Sequence, residues 1–255
     1  MQLLKYPADR VPVAIFFTLT LIDVAAYFLI SSVWLVLAYW VVMLPVKAFV
    51  CPWNHHHQHV PMFRVKALNR ILEMSFAFHT GAFTNAWVLH HVHGHHKHYL
   101  DQDADESRWR RRSGTTYNYF HYTAVTTLTA YTRAYTVGQD HPRLRRAFVG
   151  YGLLTFAILA ALIAFNPLNG IFIFAIPMVT SLTITVAATY RHHSGLDTED
   201  HMLASRNYVG KFHNILTGNL GYHTAHHYRQ GVHWSKLPEL HESIQDQIPA
   251  EYIRA

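Results

Sequence analysis

Twenty-two histidines lie in a chain of 255 residues. Most fall in four groups: His55-His56-His57-Gln58-His59, His90-His91-Val92-His93-Gly94-His95-His96-Lys97-His98, His192-His193, and His223-Thr224-Ala225-His226-His227. Imidazole nitrogen binds zinc, iron, copper or nickel, so histidine density becomes a metal signal where spacing supports it. On a helix, residues three or four apart share a face. His55 with His59, His91 with His95, and His223 with His226 and His227 can therefore point together. Adjacent histidines such as His95 and His96 diverge by about 100° on a helix and can reach two neighbouring metals.

Other metal chemistries are excluded one by one. Cys51 is the single cysteine, which rules out a disulfide framework and any Cys-rich zinc or iron–sulfur site. The Glu-x-x-His pairs of carboxylate di-iron bundles and the H-E-x-x-H helix of zinc proteases are both missing. One zinc takes three or four ligands, whereas eight or more well-spaced histidines suit two metals. Isolated His79, His121 and His141 read as packed or hydrogen-bonded side chains. The tract His55 to His59 taken alone could be a low-complexity metal sink, but three clusters of regular spacing outweigh that explanation.

The elements that must position these groups follow from composition. With 51% hydrophobic and 14% charged residues, the chain is more apolar than a soluble domain, where about a quarter are charged. Four apolar runs, about 11–30, 33–50, 147–165 and 170–189, are each long enough at 1.5 Å per residue to cross a bilayer core of roughly 30 Å. They form two hairpins. Within them Asp23 and Lys47 are the only charges. The run from Ile71 to Leu89, interrupted by Glu73, His79, Gly81 and Asn85, reads as a re-entrant or interfacial helix. The fold expected is all-α and integral to the membrane, with four transmembrane helices and a cytoplasmic helical cap holding a histidine-rich di-metal site, the whole of 1–255 being one domain.

Charge supplies the orientation. Lys and Arg number two in residues 1–10, twelve in 51–146 and six in 190–255, whereas the short turns Ser31–Ser32 and Asn166–Asn169 have none. The positive-inside rule then puts both termini and all four histidine groups in the cytoplasm. It also gives the net charge of +6 a source other than nucleic-acid binding. The first run carries Asp23, lacks an A-x-A site and continues into the second, unlike a cleaved signal peptide.

The histidine pattern resembles that of the membrane fatty acid desaturase and hydroxylase superfamily. His55-x-x-x-His59 matches the first box of that pattern, His91-x-x-x-His95-His96 the second and His223-x-x-His226-His227 the third. The segment Thr189-Tyr190-Arg191-His192-His193-Ser194-Gly195-Leu196 resembles the one that supplies a further histidine after the last span, with His193 in the ligand position and His192 the lesser substitute. The resemblance implies nine ligands: His55, His59, His91, His95, His96, His193, His223, His226 and His227. It further implies two iron ions (Fe2+), dioxygen as co-substrate and a lipid or acyl-thioester substrate. His56, His57, His90, His93, His98 and His233 are left as supporting or surface residues, with His90 and His93 the competitors for a ligand position.

The second box is spaced as in alkane hydroxylases. The longer segment Gly221 to Pro238 is instead similar to bacterial acyl-lipid desaturases, so desaturation is expected ahead of hydroxylation or ketolation, with alkanes or carotenoids as other substrates. No fused redox module is visible, so electrons come from a separate ferredoxin, rubredoxin or b-type cytochrome with its reductase. Asp101, Asp103 and Asp105 read equally well as partners of ligand histidines or as a solvated loop balancing Arg108 to Arg112. That arginine run can also meet lipid headgroups or an acidic carrier. The aromatic segment Tyr117 to Tyr135 reads as core packing or as the edge of an acyl channel. A membrane metal transporter or metal-buffering protein is the competing class.

Overall fold

Among the described residues, four helices are long and apolar enough to cross a membrane: Pro7–Leu29, Val33–His59, Pro142–Phe165 and Pro167–His193. They appear in a computed structural model that describes residues 2–255. The spans pair as expected into two hairpins, turning at Ile30 to Ser32 and at Asn166. The second and fourth extend further than their apolar runs, to His59 and His193, so the first histidine box and His192-His193 are the last turns of these helices rather than segments beyond them. The second span has one irregularity, at Phe49. Pro45 and Pro52 lie on either side of it and lack the N–H groups that would close the helical ladder there.

The chain divides into two compact units. The first comprises Met1–His57, Pro61–Asn85 and Pro142–Ile184; the second comprises Gln58–Val60, Ala86–His141 and Thr185–Ala255.

Within the first unit, Trp34 is 76% and Val42 66% exposed, and of the helix Val33–Ala48 only Val36 and Lys47 are buried. An apolar outer face of this extent is costly in water and is the natural surface in lipid. Polar groups turn inward. Lys47 Nζ lies 2.8 Å from Asp23 Oδ2 and donates to the Ile173 carbonyl, while Tyr39 donates to Asp23 Oδ1 at 2.7 Å. The two charges of the apolar runs are thus each other's partners. Asn169 caps the end of the first span by donating to the carbonyls of Tyr27 and Ile30, each at 2.8 Å.

The helix of the run Ile71 to Leu89 is shorter than that run. It covers Lys66–Thr80 and stops at Gly81, whose φ of +71° is the left-handed cap that glycine tolerates. Its buried Glu73 is held by Arg70, and His57 Nε2 lies 3.6 Å from the same carboxylate. Burial pushes Glu73 up, but His57, Thr84 and Arg70 more than offset it and leave its carboxyl below the usual range.

In the second unit, the π-helix Val88–His96 packs with the helix Tyr119–Val137. Tyr122, Trp109 and Val186 form a core with Tyr117 and Tyr190 around it, so part of the aromatic segment is packing. Phe120 and Tyr135 stay exposed. The remaining elements are short, among them the helices Lys211–Thr217, His223–Tyr228 and Leu237–Ile244 and a two-residue parallel pairing of Asn207–Tyr208 with Ile253–Arg254.

Candidate metal centre

In the second unit, the elements that carry the second and third boxes are each held by a side chain from outside that box. Gln58 Oε1 accepts from the backbone N–H groups of Trp87 (3.0 Å) and Val88 (3.2 Å), donors that the first turn of the π-helix leaves unpaired. The second box then winds as a π-helix, a form common at functional sites. Gly94 is needed there, because a Cβ would come within 2.8 Å of Glu106 Cγ. The helix His223–Tyr228 has only six residues and no side-chain cap of its own. Asn207, buried, substitutes: its Oδ1 accepts from Thr224 N–H at 3.0 Å and its amide donates to Thr224 Oγ1 at 2.8 Å. Gly221 passes so close to Tyr208 that an added Cβ would sit 2.0 Å from the Tyr208 carbonyl oxygen.

Two groups of imidazoles result. Ligand atoms of His59, His91, His96 and His226 lie within 4.8 Å of one another, and so do those of His95, His193 and His227. His223 borders the second group, its Nε2 3.0 Å from His193 Nε2. His55 is buried on the same helix as His59, one turn earlier. The adjacent residues His95 and His96 enter different groups, as do His226 and His227. The face-sharing expected of an α-helix is corrected by the π winding: His91 Nε2 stands 2.9 Å from His96 Nε2, while His95 turns to His193. In the third box His226 and His227 diverge, as adjacent residues of a helix do.

Whether these residues fit metal ions is answered by their outer nitrogens. Asp105 Oδ1 accepts from His95 Nδ1 at 2.8 Å, and the Ala204 carbonyl accepts from His193 Nδ1 at 2.9 Å. With the ring proton on Nδ1, a neutral imidazole has a bare Nε2. Yet the Nε2 atoms of His95 and His193 face each other at 3.3 Å. Two lone pairs so close need a cation between them, and nitrogens about 2.1 Å from one ion, roughly 90–105° apart, are separated by about 3.0–3.3 Å. Neither ring nitrogen of buried His227 has a hydrogen-bond partner, a cost that a metal would remove. Burial, with the neighbouring imidazoles adding to it, holds His91, His96 and His227 well below the ordinary histidine range, in the neutral form that coordinates. The donor set fits.

The other histidines have different surroundings. His192 gives Nδ1 to the Arg206 carbonyl at 2.8 Å and stacks on His223 at 3.8 Å. His93 stacks on His141 at 3.9 Å, His121 meets Arg111 at 2.9 Å, and His57 accepts from the backbone of Met62. His79 touches Thr20 at 3.1 Å and Asp23 at 3.3 Å. His90 is buried without joining either group, and burial lowers it to about 3. Of the three aspartates after the second box, Asp105 is buried on His95 while Asp101 and Asp103 are exposed. The carbonyls of Ala204 and Arg206, the amide of Asn207 and the phenol of Tyr99 were not visible as site groups in the sequence, since nothing in their spacing marks them.

No curated protein and no solved structure matches the chain. A family model, described as fatty acid desaturase, matches residues 32–254 and so takes in every histidine of both groups. Four apolar helices, histidine clusters suited to metal and a match over most of the chain agree: this is a membrane protein of the fatty acid desaturase family, an oxidoreductase acting on lipid.

Proposed function

We propose that the protein introduces a double bond into a fatty acyl chain, using dioxygen and two iron ions. The observation carrying this reading is the division of His95-His96 and of His226-His227 between two imidazole groups. One ion needs one group; two groups built from the same short segments are a holder for a pair. His59, His91, His96 and His226 would bind one iron, with His55 one turn away on its helix, and His95, His193, His223 and His227 the other. When bound, the irons supply the reduction of dioxygen and the removal of hydrogen from an unactivated methylene.

The chain's own contribution is to hold and shield. Asp105 and the Ala204 carbonyl keep Nδ1 protonated in His95 and His193, which leaves Nε2 free to bind. Burial keeps competing water and protons away from the neutral rings. Removal of two hydrogens with reduction of one dioxygen to two waters takes up two further electrons and two protons. The electrons come from a separate donor, a ferredoxin, a rubredoxin or a b-type cytochrome with its reductase. We place both termini and the histidine groups in the cytoplasm, where such donors meet them, on the strength of the Lys and Arg asymmetry. Transport of metal, the competing class, wants ionisable groups free along a path; Asp23 and Lys47 are bound to each other.

Expression in a host without desaturases tests this reading. New unsaturated acyl chains should form only in air and with a compatible donor, and purified protein should hold about two irons per chain. Hydroxylated lipid without alkene would move the protein to the hydroxylase branch.

A further inference from the structure

Tyr99 is buried against the second histidine group. Its ring centroid is 4.4 Å from that of His227 and 6.1 Å from those of His95 and His193. Its hydroxyl meets His201 Nδ1 at 2.5 Å, and His201 is exposed. One phenol therefore packs on His227, neighbours His95 and His193, and reaches, through a single hydrogen bond, an imidazole open to water.

A neutral phenol gives up an electron readily only if its proton leaves with it, because the phenol radical cation is a very strong acid. His201 Nδ1 is in place to take that proton. The direction of electron flow follows from potentials. Iron–sulfur donors work at or below about +450 mV, well short of the tyrosyl couple, so Tyr99 cannot relay their electrons inward to a resting centre. Only an oxidant generated from dioxygen can draw on it.

We propose that Tyr99 and His201 form a one-electron relay that discharges the metal centre when dioxygen has been activated with no substrate in place. The proposal rests on the oxygen-activating reading of the site. The Tyr99 O–H bond breaks; the electron passes to the oxidised centre and the proton to His201 Nδ1, leaving a neutral tyrosyl radical beside an imidazolium. One electron from a thiol reductant in solution and the same proton restore the phenol. Each cycle consumes one external electron and lowers the oxidation level of the centre by one, sparing the surrounding histidines from oxidation.

The test is freeze-quench electron paramagnetic resonance on reduced, iron-loaded protein mixed with dioxygen in the absence of substrate, with iron content and dioxygen uptake measured alongside. Wild type should show a tyrosyl signal that falls at least tenfold in Tyr99→Phe and several-fold in His201→Ala. Should Tyr99→Phe fail to hold iron, His201→Ala, altered at an exposed position, decides. Dioxygen uptake with no tyrosyl signal in wild type, or with a signal undiminished in either iron-loaded variant, overturns the relay and leaves the oxygen-activating reading standing. Wild type that is loaded with iron and takes up no dioxygen overturns both.

Discussion

Asp105 accepts the Nδ1 proton of His95 at 2.8 Å, both side chains being 1% exposed. The carboxylate also takes the backbone N–H of Ser107 at 2.7 Å, so one residue orders the loop after the second box and orients an imidazole of that box. Removal of such an outer partner typically costs 10–100-fold in metal affinity. Asp105→Ala should lose iron to a chelator at least roughly tenfold more readily than wild type. Asp105→Asn, which keeps an acceptor oxygen, should be milder. Equal retention in all three proteins would show that His95 needs no help.

His193 and His192 are adjacent and both buried, yet only His193 has its Nε2 among other Nε2 atoms. His193→Ala should empty the second site and abolish turnover, whereas His192→Ala, a like loss of volume, should leave most of the iron. Iron per folded protein is the measurement. Matching, near-normal occupancy in the two would remove His193 from the ligand set.

Asp23 and Lys47 share one buried ion pair inside the spans. Breaking such a pair by removing one partner costs about 3–5 kcal/mol, because the other charge stays behind. Asp23→Asn should therefore unfold far more easily in detergent, and Asp23→Asn with Lys47→Met should recover much of the loss. A double variant no more stable than the single one would mean that Lys47 draws its stabilisation from Ile173 alone.

Gly221 leaves no space for a methyl group, since the nearest neighbour of the added Cβ is backbone. Gly221→Ala should lower stability by roughly 1–3 kcal/mol or more through overpacking, read as a fall in Tm together with lost iron. Gly231→Ala, where nothing lies within 4 Å, is the control and should change neither.

Orientation is tested by thiol labelling. In a Cys51→Ala background, single cysteines at the exposed positions Ser113 and Ser243 should react with an impermeant reagent only after lysis. Labelling of either in intact cells would reverse the proposed sidedness.

Much of this architecture is legible from local pattern. Uninterrupted apolar length marks four spans because lipid leaves few alternatives to a helix, and the histidine boxes stand out because their spacing is short-range. What escaped depends on contacts between distant segments or on unusual backbone. The π winding that couples His91 to His96 has no simple signature in residue type. Asp105 is chosen over Asp101 and Asp103 by the fold of the loop, not by composition. Asn207, seventeen residues before Thr224, caps a helix it does not belong to. The spans run on to His59 and His193 because helical hydrogen bonding continues past the last apolar residue, which a hydropathy pattern cannot register.

The separation of His95 from His96, and of His226 from His227, makes the two proposed metal sites thermodynamically dependent. A first ion that orders either dipeptide also sets the backbone on which a ligand of the second depends, and it prepays part of the entropy that ordering costs. Loading is then expected to be cooperative, with little protein at one ion per chain, and damage on one side of the pair should weaken binding on the other. Linkage requires the reverse as well: whatever favours the second ion must favour the first by the same factor.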